Sequence, residues 1–403
     1  MSVLEEPVAG TSALRLMLAS PLYRGATIAL FLSGLGFSAA APQIASFLVN
    51  ELGASLSAAG LFYLTSLTAP VIGFLVGARS DRTGARLGLF RACAVAGFAG
   101  WTGIAFATQL WMPYVISAVV LGFAGAATSQ LFAAVHDELK AHPDPGNDGV
   151  VAGVRMAMTG GWVVGPVAGS FLAAHTSLRI MLLATAICTL AQIAPLGVLR
   201  NPHSTPTTGR RTGAPSLRAM LPLLAFTALY VLVYAGEPVK YAYLPIYMNS
   251  QLDLPSGLAG AIIGIQPLVE ILLMPLAVLV ARRIGMLRLM VIGAACGVAA
   301  NICFATTGSA AGLFAGQILM GGVWAVFAAL GIIVAQRLLP TAVATASAIF
   351  LSSTALASAL GGAAGGIGAA TLGLPHVFLI PAAAGLAAVA GLAAMTRSSE
   401  HNL

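Results

Sequence analysis

Twelve stretches of this 403-residue chain are long, almost wholly apolar and separated by short gaps. They run over 25–49, 56–78, 87–108, 111–135, 150–174, 178–199, 219–249, 256–281, 286–308, 310–336, 342–368 and 375–396. About 20 apolar residues suffice for a helix to cross a bilayer. Helix is the conformation such runs must take, because in hydrocarbon every backbone donor and acceptor has to be paired within the segment. Strands of a membrane barrel alternate apolar and polar residues, and these runs do not. Charge is as scarce as the runs imply: 8% of residues against roughly a quarter in a soluble domain. The expected fold class is an all-α integral membrane protein with twelve transmembrane helices. The formal net charge of +7 does not indicate a nucleic-acid partner, since the basic residues sit in the gaps.

Those gaps also give an orientation. Arg79, Arg82, Arg86 and Arg91 flank the second gap, Lys140 lies in the fourth, and Arg200, Arg210, Arg211 and Arg218 surround the sixth. Arg282, Arg283 and Arg288 flank the eighth and Arg337 opens the tenth, whereas the odd-numbered gaps hold only Arg179. Basic residues stay on the cytoplasmic side, so both termini are expected there, in a bacterial cytoplasmic membrane. Glu5 and Glu6 stand where a signal peptide carries its basic region, so no cleaved leader is expected. Residues 11–24 read as a short amphipathic lead-in on the cytoplasmic face. Cys93, Cys188, Cys296 and Cys303 all fall inside spans without metal-ligand spacing, so no metal is expected. The six histidines form no H-E-x-x-H arrangement, which argues against an intramembrane enzyme.

The chain is built twice. Residues 42–86 align with 245–288: Pro42 matches Pro245, Leu52 matches Leu252, Gly60 matches Gly260, and Arg82 falls opposite Arg283. Parallel halves of six spans are one architecture of secondary transporters. The expected organisation is a cytoplasmic segment at 1–24, a six-helix bundle at 25–200, a linker at 201–217, a second bundle at 218–397 and a tail at 398–403. The linker is rich in Pro, Thr, Gly and Arg, as a flexible connection is.

Two motifs are more specific. The second gap reads Gly77-Ala-Arg-Ser-Asp81-Arg82-Thr-Gly84-Ala-Arg86. Gly77 and Gly84 permit close packing and a tight turn, and Asp81 can accept bonds from an arginine. The arrangement suits a conformational latch between the two halves. Span 5 reads Gly161-Trp162-Val-Val-Gly165-Pro166-Val-Ala-Gly169, whose glycines four apart make a flat face for another helix.

The first motif resembles the signature of the major facilitator superfamily and the second the helix motif of its exporters. More narrowly, Arg155 before Trp162-Val-Val-Gly165-Pro166, and Leu254-Pro255, Leu258-Ala259-Gly260 followed by Glu270, resemble the bacterial sugar efflux transporter family. The resemblance implies two six-helix bundles in the major facilitator fold and export of sugars or small glycosides driven by protons. Two features depart from that pattern: Glu237, where a neutral polar residue is expected, and the sequence His136-Asp137-Glu138.

Polar residues inside the spans point the same way, because an ionisable group in a membrane helix costs several kcal/mol unless it has a partner or a task. Glu237 and Lys240 in span 7 share a helical face and can pair, with Pro238 between them able to open the helix. Glu270 in span 8 has no partner on its own helix, and Arg155 in span 5 is its candidate across the bundle. A sugar site needs hydrogen-bonding groups and aromatic faces. Gln43, Gln130, Trp162, Tyr234, Tyr241, Gln266, Asn301, Gln317 and Trp324 are candidates to line it. The expected partners are a small-molecule solute, protons and membrane lipid, with no cofactor and a monomeric chain. A multidrug or other metabolite antiporter remains the alternative, and a transport-dead sensor a weaker one.

Overall fold

In the computed structural model, residues 13–142, 147–197, 199 and 216–400 are described. The linker expected at 201–217 lies almost wholly outside these residues. Among the described residues, twelve helices are long and apolar enough to cross a membrane. In order they are span 1 (Pro21–Asn50), span 2 (Leu56–Thr83), span 3 (Arg86–Ala105), span 4 (Trp111–Ala141), span 5 (Gly149–His175) and span 6 (Leu178–Leu196). The second set comprises span 7 (Leu217–Ser250), span 8 (Ser256–Ile284), span 9 (Met286–Thr306), span 10 (Ala310–Leu338), span 11 (Thr345–Thr371) and span 12 (His376–Arg397). Serine side chains cap spans 1, 2, 6, 7 and 10: Ser20, Ser55, Ser177, Ser216 and Ser309 each accept from the backbone N–H three residues on.

The amphipathic lead-in is shorter than expected. A helix over Ala13–Ala19 packs along span 5, and span 1 already begins at Pro21, where proline's fixed φ suits a first helical turn. Span 7 is interrupted. It runs as Leu217–Tyr234 and resumes as Gly236–Ser250. The break precedes Pro238, which has no N–H to offer the carbonyl four residues back.

Packing repeats across the two sets. Spans 1 and 5, 1 and 6, 2 and 4, 3 and 4, and 3 and 6 are in contact, and so are their counterparts 7 and 11, 7 and 12, 8 and 10, 9 and 10, and 9 and 12. The fold is two six-helix bundles. They meet along spans 5 and 8 and along spans 2 and 11, again a symmetric pair of contacts.

Those contacts concentrate at one end of the molecule. We call the end carrying the 77–86 turn the basic end and the opposite one the far end. At the far end Ser57 Oγ donates to the Gly366 carbonyl (2.9 Å) and Tyr243 Oη to the Leu56 carbonyl (2.9 Å). Gly60 and Gly260, the matched glycines of the repeat, sit at the two seams. A Cβ on Gly60 would lie 2.6 Å from the Gly362 carbonyl, and one on Gly260 would lie 2.9 Å from Val167 Cα. One buried apolar core runs through both bundles, whereas the core around Leu30, Phe90 and Leu131 stays within spans 1 to 6.

Candidate functional site

Span 7's break places its charges at mid-helix depth. Glu237 lies in the first turn of the segment Gly236–Ser250, where the positive end of the helix dipole favours a carboxylate. Three residues on, Lys240 Nζ approaches both oxygens of Glu237 at 2.8 Å and also donates to Gln266 Oε1 of span 8. All three ammonium protons therefore have acceptors. Trp324 of span 10 donates its Nε1–H to Glu237 Oε1 at 2.7 Å. Glu237 and Lys240 are buried, Lys240 almost completely, so the pair persists through its hydrogen bonds rather than through water.

Aromatic rings surround this cluster. Lys240 Nζ lies 4.3 Å from the centroid of Tyr241, Tyr234 meets Trp324 edge-on at 5.0 Å, and Trp162 lies 6.4 Å from Tyr241. A cavity of about 210 Å³ opens between the bundles here, walled by Trp162, Tyr234, Glu237, Tyr241, Gln266, Glu270 and Trp324. Glu270 is half-buried, one helical turn beyond Gln266 on the same face of span 8. A second cavity of about 330 Å³ shares Trp162, Tyr234, Glu237 and Tyr241 and extends into the first bundle past Phe37, Phe62, Tyr63 and Trp101.

Of the residues singled out from sequence, Glu237, Lys240, Gln266, Glu270 and Trp324 thus converge, with Trp162, Tyr234 and Tyr241. Others lie elsewhere. Arg155 was expected to be a buried partner for Glu270. It is exposed, lines a separate pocket with His136 and Ser129, and forms no ion pair among the described residues. Its position seven residues before Trp162 puts it nearer the basic end, where the bundles stand apart. Gln43 donates to Ser170 Oγ (3.0 Å) and faces a far-end cavity instead of the central one. Asn301 donates to the Gly297 carbonyl of its own helix (2.8 Å), beside Gly236 at the span 7 break. Gln130 and Gln317 are buried within their bundles, and both amide atoms of Gln317 lack a partner among the described residues.

Sequence reasoning missed Tyr63, Phe37 and Trp101. Tyr63 Oη is buried without a hydrogen-bond partner at the cavity wall. No motif marks these residues. Their role arises only from how spans 1, 2 and 3 turn toward the second bundle.

The turn at 77–86 is tied within the first bundle. Arg86 bonds Asp81 (2.6 Å), Ser80 Oγ (2.9 Å) and Asp137 of span 4 (3.0 Å). Gly84 takes φ +65°, the left-handed conformation that lets the chain leave span 2. In this conformation the side-chain bonds of the motif stay within the first bundle, as they would in the state in which a latch between the halves is released. Arg82 is exposed, and among the described residues a Cβ on Gly77 would meet nothing within 4 Å. In span 5, Gly161, Gly165 and Gly169 lie against the backbone of span 1: a Cβ would come 2.5 Å from Leu35 N, 2.6 Å from the Leu35 carbonyl and 2.8 Å from the Ala39 carbonyl, respectively. Pro166 sits on the opposite side of the same helix, with its carbonyl against Gly260. Span 5 is therefore held between span 1 and span 8.

Two six-helix bundles enclosing a polar, aromatic-walled centre define a secondary transporter. The sequence pattern of the Major Facilitator Superfamily matches residues 26–239, and the chain belongs to that superfamily, whose members are transporters. It is 28% identical over 376 residues to a Deinococcus radiodurans protein with the provisional name of sugar efflux transporter, covering 90% of this chain and 95% of that one. It is 25% identical over 351 residues to sugar efflux transporter B of Salmonella typhimurium, covering 85% and 87%. Among solved structures it is similar to the nucleoside transporter NupG, with a TM-score of 0.77, 17% identity, and coverage of 93% of this chain and 99% of that chain.

Proposed function

We propose that this protein is a proton-coupled exporter of sugars or small glycosides that works by alternating access. The observation that carries the reading is the central cavity. Gln266, Glu237 and Glu270 offer donors and acceptors for hydroxyl groups, while Trp162, Tyr234 and Tyr241 offer rings for the C–H face of a pyranose. Sugar efflux relatives at 25–28% identity favour the same substrate class. The basic end faces the cytoplasm, so this conformation is closed outside and open inside.

The two halves, residues 1–200 and 218–403, rock about this cavity, with spans 5 and 8 and spans 2 and 11 as the seams. Glu237 is committed to Lys240 and Trp324. Glu270 reaches the cavity with no ion-pair partner among the described residues, which leaves it free to exchange a proton. A gradient drives uphill export only if proton and substrate favour different states of the carrier. A second reading, efflux of apolar or amphipathic drugs, is favoured by the largely apolar wall of Phe37, Phe62 and Trp101. The test is transport of radiolabelled methyl glucoside in everted vesicles, with and without a protonophore. Glu270→Gln is expected to fold normally and to lose uphill transport while keeping downhill exchange. Uphill transport at the normal rate would remove Glu270 from coupling.

A further inference from the structure

Above the closed seam, toward the far end, lies a cavity of about 430 Å³ that the transport cycle described so far does not use. It is within the size range of small-molecule pockets, roughly 300–1,000 Å³. Its walls come mainly from spans 1, 5, 7 and 8, which also wall the central cavities, with Leu178 at the start of span 6 closing one side. On each of those four spans the lining shifts by about two helical turns or less. Span 1 presents Ala41 and Ile44 to the centre and Gln43 to this cavity; span 5 presents Trp162 and then Ser170; span 7 presents Tyr241 and then Pro245; span 8 presents Gln266 and then Ile263. The two spaces are stacked along one path.

The lining is neutral and hydrogen-bonding. Span 1 loses its regular helix between Ala40 and Ile44, which turns Gln43 away from its neighbours. Gln43 is 9% exposed and Ser46 8%. Gln43 spends its N–H on Ser170, leaving its carbonyl oxygen with no acceptor role among the described residues. The Ser46 hydroxyl has no partner among them either. Neither atom is sealed from solvent, so both face the cavity. Polar side chains this deeply buried are normally satisfied within the protein. Asn50, Asn249 and Ser256 add further amide and hydroxyl groups at the rim. The charged lining residue, Glu51, is already bound by Arg179 at 3.1 Å. A cavity so lined has no free charge for an ion and no aromatic wall for a drug.

We infer that this cavity is a release-side binding site for a neutral polyhydroxylated molecule, a second station for the solute after the central one. The inference rests on the exporter reading for the identity of the solute, but its site can be tested separately. Asn249 is exposed at the rim and Ser250 is exposed beside it without lining the cavity. In right-side-out vesicles, Asn249→Cys is labelled with a membrane-impermeant maleimide in the presence of external methyl glucoside, lactose or sucrose. The unsubstituted protein gives the background of its native cysteines. One of these sugars is expected to slow labelling about tenfold at ~10 times its dissociation constant, because occupied sites do not react. Ser250→Cys labelling is expected to be unchanged. Adding Gln43→Leu to Asn249→Cys is expected to abolish protection, and adding Glu270→Gln to preserve it. No protection by any of the sugars, equal slowing at Ser250→Cys, or protection that survives Gln43→Leu would overturn the site. Protection without sugar transport would retract the exporter reading and leave the site standing.

Discussion

Neutralising one member of the Glu237–Lys240 pair should damage the fold more than neutralising both. Two unit charges 4 Å apart attract by about 4 kcal/mol at an effective dielectric of about 20. Lys240 lies closer than that to both oxygens of Glu237, at 2.8 Å, and is 1% exposed. Removing one partner of such a pair costs about 3–5 kcal/mol, mostly because the remaining charge stays buried and uncompensated. Glu237→Gln leaves Lys240 with only amide oxygens, and Lys240→Met leaves Glu237 with Trp324 alone. The double variant carries no buried charge and keeps similar volumes, so it should recover most of the loss, with a coupling of about 3 kcal/mol. Unfolding by sodium dodecyl sulfate in bicelles, followed by near-ultraviolet circular dichroism, gives the three free energies. Additive losses in the double variant would refute the pairing, as would a single variant as stable as the unsubstituted protein.

Other positions give shorter tests. Gly165→Leu should lower stability by about 1–3 kcal/mol, since its side chain would strike Ser38 and the Leu35 carbonyl; thermal unfolding in detergent measures it. Gly77→Leu should leave the melting temperature unchanged, because no described residue lies within 4 Å of the added Cβ, yet reduce vesicle transport by hindering closure of the basic end. Arg86→Ala removes bonds to Asp81, Ser80 and Asp137 and should cost about 1.5–3 kcal/mol in the same melts, less at high salt. Trp324→Phe keeps the ring but loses the bond to Glu237, and should weaken sugar binding in a fluorescence titration without unfolding the protein.

The twelve spans were readable because hydrocarbon admits only one kind of backbone, and runs of apolar residues mark it directly. Their ends differ from the sequence reading by up to about six residues, as at span 4, where Asp137, Glu138 and Lys140 continue the helix beyond the last apolar run. The pairing of Glu237 with Lys240 was readable too, because i and i+3 share a face on any helix. What followed from three-dimensional packing was not. Gln266 and Trp324 reach Glu237 from different helices, and no spacing along the chain links residues 237, 266 and 324. Arg155 misled because its charge inside an apolar run looks buried, whereas the parted bundles expose that stretch of span 5. Gln43 misled in another way: the irregular turn at 41–43 directs it toward the far end.

The proposed transport cycle requires reciprocal motion of the two bundles about the Glu237–Lys240 centre. Spin-label distances measure that motion directly. One pair at Arg82→Cys and Thr341→Cys reports on the basic end, and one at Asn50→Cys and Asn249→Cys on the far end. Shifting the protein between neutral and acidic pH with sugar present should shorten one distance as the other lengthens. Distances that change together, or do not change at all while transport proceeds, would contradict it.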